Sequence, residues 1–108
     1  MICRIWFGWS EPQKADAYEH LLRDEVLVEI GRRGIPGYRG VQLLRREREG
    51  EVEFVTLMWF DTLADVKMFA GEDYERSVVP PNAQALLSRY DMKALHYEVR
   101  EEHVALTS

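Results

Sequence analysis

Residues Glu51–Phe60 read EVEFVTLMWF, and the fold turns on them. Valine, threonine, phenylalanine and tryptophan dominate the stretch, which predicts a strand. After Glu53 it is apolar on both of its alternating sides, so both faces of the sheet need cover. Upstream, Glu47-Arg48-Glu49-Gly50 is a polar connection ending in glycine, as in a hairpin, and Tyr38–Arg46 reads as the partner strand. Downstream, Asp61 or Thr62 can cap a helix that carries Leu63, Val66 and Phe69 on one face and stops at Gly71.

The rest of the chain fits around this hairpin. Ile2–Trp9 is a second β-branched and aromatic run, ended by Ser10-Glu11-Pro12, with Ser10 as the expected N-cap of the next helix. From about Gln13 to Arg33, the residues Ala15, Tyr18, Leu22, Val26 and Ile30 recur at helical spacing. Gly31 and Gly34 end that helix, and Ile35-Pro36-Gly37 makes a turn. Glu72–Val79 has no clear pattern. Pro80-Pro81 opens a short helix expected to carry Ala83, Leu86, Leu87 and Tyr90. A last strand is expected from Tyr90 or Asp91 to Arg100. The order β-α-β-β-α-β predicts an α+β, ferredoxin-like antiparallel sheet with helices on one face.

All 108 residues are expected to form one domain, with a core over 2–100 and a tail over 101–108. The helix-free side of such a sheet must be covered. The expected cover is a second copy of the chain, laid on the even-numbered side of the third strand: Phe54, Thr56, Met58 and Phe60. Burying ~500 Å² there contributes on the order of 12 kcal/mol before binding costs.

Composition narrows the function. The net charge of −5 argues against nucleic acid, and the arginines at 45, 46 and 48 are interleaved with or followed by glutamates. No apolar run reaches the ~18 residues of a membrane span. No leader pattern is read at the N-terminus, so a cytoplasmic location is the expectation. The lone Cys3 cannot form an internal disulfide and is expected as a small buried thiol. The three histidines are far apart, and metal, nucleotide and serine-hydrolase motifs are absent.

The turn Pro36-Gly37-Tyr38-Arg39-Gly40, the run Phe54–Phe60, the helix opening Asp61-Thr62-Leu63 and the aromatic Tyr74 resemble the antibiotic biosynthesis monooxygenase-like group of dimeric α/β-barrel proteins. The resemblance spans about Ile2 to Arg100. It implies a homodimer whose two sheets form a barrel, with a pocket in each subunit between sheet and helices. It implies a monooxygenase that uses no cofactor and takes a small aromatic or polycyclic phenol. The alternative is a small-molecule-binding or stress-response dimer without catalysis. In the oxygenases of that group, an asparagine and a tryptophan on the third strand act with a tyrosine of the next helix. Trp59 matches the tryptophan, whereas Val55 and Asp65 stand at the other two positions. The heme-degrading members need a tryptophan and a histidine where this chain has Met68 and Val78.

The candidate catalytic residues are therefore Trp59, expected in the pocket or else plain core, and His96 on the last strand. A strand histidine can be a general base, because its ordinary pKa is near 6.5, or it can be structural. Candidate substrate contacts are Arg4, Trp6, Tyr18 and His20. Arg4 is notable within so apolar a strand, where an unpaired charge is costly. It could hold an anionic substrate or pair with a glutamate across the barrel. His103 lies in the tail and carries no role.

Overall fold

The computed structural model describes residues 1–106. Its elements are β1 (Ile2–Ser10), α1 (Pro12–Leu21), a π turn (Leu22–Val26), α2 (Leu27–Arg32), β2 (Tyr38–Arg48), β3 (Glu51–Phe60), α3 (Leu63–Ala70), α4 (Pro81–Gln84), β4 (Arg89–Tyr90) and β5 (Leu95–Glu98). The five strands form one antiparallel sheet in the order β2-β3-β1-β4, with β5 also on β1. This is the α+β ferredoxin-like fold, with β1 and β3 at its centre. Among the described residues, no helix is long and apolar enough to cross a membrane. Of the expected tail, residues 101–106 form no helix or strand, and 107–108 lie outside the described residues.

Local chemistry explains the element ends. Thr62 and Asp65 make a reciprocal capping box: Thr62 Oγ1 accepts from Asp65 N at 3.2 Å, and Asp65 Oδ2 accepts from Thr62 N at 3.2 Å. Gly37 is required beneath it, because a Cβ there would run into the Asp65 carboxylate. Gly71 stops α3 with a φ of 92°.

Four local expectations change. Ser10 is not the cap: it ends β1, fully buried, and Glu11 takes the N-cap position without a side-chain bond. The first helix is not regular, because the turn Leu22–Val26 is wound more widely. The last helix is a single turn, and Tyr90 belongs to β4. The last strand is broken in two. Trp6 Nε1 donates to the Asp91 carbonyl at 2.8 Å, while Ser77 N donates to Met92 O and Ala94 N to Glu75 O. The backbone after β4 thus pairs with the loop 75–77 before rejoining β1.

The larger correction concerns the faces of the sheet. Phe54, Thr56, Met58 and Phe60 do not form the open side. They lie under the helices, where Phe54 meets Tyr18 with ring centroids 4.7 Å apart and Phe60 meets Phe69 at 5.8 Å. The open side carries Val55, Leu57 and Trp59, opposite Phe7, Ile5 and Cys3 of β1, all only partly buried. Cys3 is accordingly half-buried on that face and not part of the core. Both sides of β3 are apolar, so alternation alone leaves the choice open. The hand of the β1-helix-β2 crossover decides which side the helix covers. Two core clusters result, one around Tyr18, Leu22, Val52 and Phe54, the other around Ile35, Met58, Phe60, Val66 and Phe69.

Candidate functional site

A cavity lies at the seam of the two clusters, between sheet and helices. Its inner chamber, of about 50 Å³, is bounded by Arg4 and Trp6 of β1, Thr56 and Met58 of β3, Tyr18 of α1 and Phe69 of α3. Leu22 and Val26 of the π turn, with Leu27 and Ile30 of α2, form the helical wall. A π turn inserts an extra residue per turn and often occurs where a helix borders a site. Val26, Ile30, Phe69, Val78 and Pro80 are shared with an outer cleft of about 390 Å³, whose rim carries Glu25, Glu29, Arg33 and Asn82. The inner chamber is too small for a polycycle, since sites for drug-sized ligands occupy roughly 300–1,000 Å³. It accommodates one functional group, with the ligand body in the cleft.

Arg4 sets the electrostatics. It is 3% exposed and makes no ion pair among the described residues. Within the chain, neutral groups hold it. Nη1 donates to Tyr74 O at 2.5 Å and to His96 Nε2 at 3.0 Å, and Nη2 donates to Arg76 O at 3.1 Å. The Phe69 ring lies 5.4 Å from the guanidinium carbon. Burial alone pushes the Arg4 pKa down to about 10, so the group remains a cation at neutral pH.

His96 stands behind Arg4, opposite it in the strand register. A guanidinium only donates, so His96 Nε2 must accept, and the neutral ring then carries its proton on Nδ1. That Nδ1 is buried without a partner. Burial first, and the Arg4 charge second, lower the His96 pKa below 6.5, against an opposing pull from Glu75. His96 is therefore neutral at pH 7, with its basic lone pair committed to Arg4. This arrangement orients Arg4 and leaves no free base on the ring.

The other anticipated residues divide cleanly. Trp6 and Tyr18 line the inner chamber beside Arg4. Trp6 fits because its indole lies over Gly8, where a Cβ would come within 2.8 Å of the ring. Tyr18 is 1% exposed, and burial raises its pKa well above 10, so it stays a phenol. Trp59 is not in the cavity: its position in β3 has odd parity, and it projects to the open face. His20 is also outside, because its side chain is 63% exposed and pairs with Arg23 and Asp24 on the outer surface. Thr56 and Phe69 line the chamber without having been singled out. Thr56 was signalled as the one polar residue on the even side of β3 after Val52.

The fold that frames this cavity recurs in solved structures. A Bacillus cereus protein provisionally assigned as an antibiotic biosynthesis monooxygenase superposes with a TM-score of 0.65 at 13% identity, covering 96% of this chain and 97% of its own. The chain shares the fold of the antibiotic biosynthesis monooxygenase structures. Rv0793 from Mycobacterium tuberculosis superposes at 0.62 with 18% identity over 95% of this chain and 98% of its own. A further antibiotic biosynthesis monooxygenase gives 0.62 with 21% identity over 94% of this chain and all (100%) of that one. The resemblance read from the sequence is thus to the same group of structures. No family model and no curated protein matches the sequence.

Proposed function

We propose that the chain is a homodimeric α/β-barrel enzyme of the monooxygenase type that oxygenates a small organic anion held against Arg4, using dioxygen and no cofactor. The observation that carries this reading is a buried cation without a carboxylate partner at the end of an apolar cavity. A desolvated cation of this kind stabilises negative charge developing on a substrate. It thereby makes a carbon acid easier to ionise, and the proton leaves through the outer cleft, where Glu25 and Glu29 lie. The carbanion passes an electron to dioxygen, and the radicals combine to a peroxide. Loss of water then leaves a carbonyl. A methylene becomes a ketone, one oxygen atom is retained and the other departs as water, so no outside reductant is needed. A small aromatic fits with its acidic group inside and its ring in the cleft.

The dimer in this proposal uses the open face, where Ile5, Phe7, Leu57 and Trp59 meet Leu44, Leu95 and Tyr97 in adjoining strands. A contiguous apolar patch of this kind marks an interaction surface. The test of the enzyme reading is oxygen uptake with carbon acids of one or two rings, with product identified by mass. Arg4→Met should lower turnover by roughly 10²–10³-fold, as removal of an oxyanion donor does. Undiminished turnover in that variant would remove Arg4 from the mechanism.

A second reading is a binding protein without turnover. The His96 lone pair tied to Arg4 favours it, as does the position of Trp59 outside the cavity. Tight ligand binding with no oxygen uptake across the same substrates would select it.

A further inference from the structure

Arg4 has five N–H donors. Three are spent, on Tyr74 O, His96 Nε2 and Arg76 O. Both Nη1 donors are among the three, so Nε–H and one Nη2–H remain without an acceptor among the described residues. These two atoms form one edge of the planar guanidinium, the edge that meets two coplanar oxygens side-on. The residue that carries them lines the inner chamber. Tyr18 and Thr56 also line the chamber, and their hydroxyls make no side-chain hydrogen bond with another described residue.

We infer that the Arg4 end of the cavity is a carboxylate receptor: the Nε/Nη2 edge clasps both oxygens of a monocarboxylate whose apolar body runs out along Val26, Ile30 and Phe69 into the cleft. The inference rests on the reading that this cavity is the ligand site, and it names the chemical class of the ligand. Three features support a carboxylate over a single-oxygen anion. The free donors come as a coplanar pair, which a phenolate oxygen satisfies only in part. The chamber volume of about 50 Å³ suits one small planar group. The hydroxyls of Tyr18 and Thr56 supply further donors for the outer lone pairs of a carboxylate. At the rim, Glu25 and Glu29 oppose a second negative charge, while Arg33 is occupied with the carbonyls of Met68 and Phe69. The preferred ligand is therefore a monoanion.

The experiment is calorimetric titration of the full chain at pH 7 with benzoate and 2-naphthoate, each against its neutral amide of the same shape, and with phenol and 2-naphthol. The expected result is that at least one carboxylate binds about tenfold or more tighter than its amide, the difference made by a charge-assisted bidentate pair. Arg4→Lys keeps the charge but loses the fork, and should abolish most of that preference while circular dichroism confirms the fold. The wild-type ligand series decides the matter even if the variant is unstable. Amides binding as well as carboxylates would overturn the inference. If the phenols bind and the carboxylates do not, the carboxylate class is wrong while the cavity stands as the ligand site. If nothing binds, the inference falls, and oxygen uptake with other carbon acids judges the enzyme reading separately.

Discussion

Substituting Leu57 with glutamate would test the proposed use of the open face. Leu57 lies in the central strand β3, paired in register with Ile5 on one side and Gln42 on the other. Its side chain projects away from the helices, and Leu57 is not among the residues that line the cavity. In a two-fold dimer built on this face, each copy would bury one such leucine. Full burial of a leucine contributes about 1.5–3 kcal/mol, so two lost side chains cost about 3–6 kcal/mol. Each new carboxylate would also have to be desolvated, at several kcal/mol per ion. The sum exceeds about 6 kcal/mol, which is more than a ten-thousandfold rise in the dimer dissociation constant. Sedimentation velocity at micromolar concentration should show the wild type as a dimer and Leu57→Glu as a monomer. The monomer should keep a wild-type far-ultraviolet spectrum, because the position is only partly buried within one chain. A variant that stays dimeric at these concentrations would refute the assignment of this face as the interface.

Other consequences can be measured directly. Gly37→Ala should lower stability by about 1–2 kcal/mol in urea, because its Cβ displaces the Asp65 carboxylate and breaks the Thr62 cap; an unchanged midpoint would contradict the capping role. The His96 imidazole should titrate below 6.5 by NMR. Because the unfolded ring binds a proton more readily than the folded one, stability should fall as pH drops through 6.5 and level off below the folded pKa. His96→Ala should weaken ligand binding by roughly tenfold through loss of one hydrogen bond that orients Arg4, with partial rescue by Asn, which restores an acceptor; an Asn variant as weak as the Ala variant would show that His96 acts by packing alone. Glu53 is held below its ordinary range mainly by its hydrogen bond to Arg46, with a second from Trp9. Its contribution is complete above about pH 4.5 and is lost as acid protonates it, so the stability gap between wild type and Glu53→Gln should close on acidification.

The element order was legible in the sequence because its signals are local. Thr62 before an apolar helix, Gly50 closing a polar link and Gly71 after Phe69 each act within a few residues. The sidedness of the sheet was not legible, since Phe54–Phe60 is apolar on both sides and the deciding term is the handedness of a crossover some thirty residues earlier. That single ambiguity misplaced Trp59. Arg4 announced itself as a charge within an apolar strand, and Trp6 shares its parity, so both reached the site. Tyr18 belonged to the helical stripe with Leu22 and Val26. His20, two residues from Tyr18, points outward by helical geometry alone. The tie between Arg4 and His96 joins residues 92 positions apart, and no spacing rule could have found it.

The wide turn Leu22–Val26 gives the cavity a quality that a regular helix would deny it. The α1 half of the helix is fixed through Ala15 and Tyr18 against Phe54, whereas the α2 half leans on the second cluster through Ile30. The extra residue between them sets the rotational offset of one half against the other. Ile30, which packs on the second cluster, can therefore be enlarged or pared without disturbing the packing of Tyr18 beside Arg4. The anchoring group and the wall that measures the ligand can thus change independently, which lets one scaffold accept ligands of different shape while their charged end stays in place.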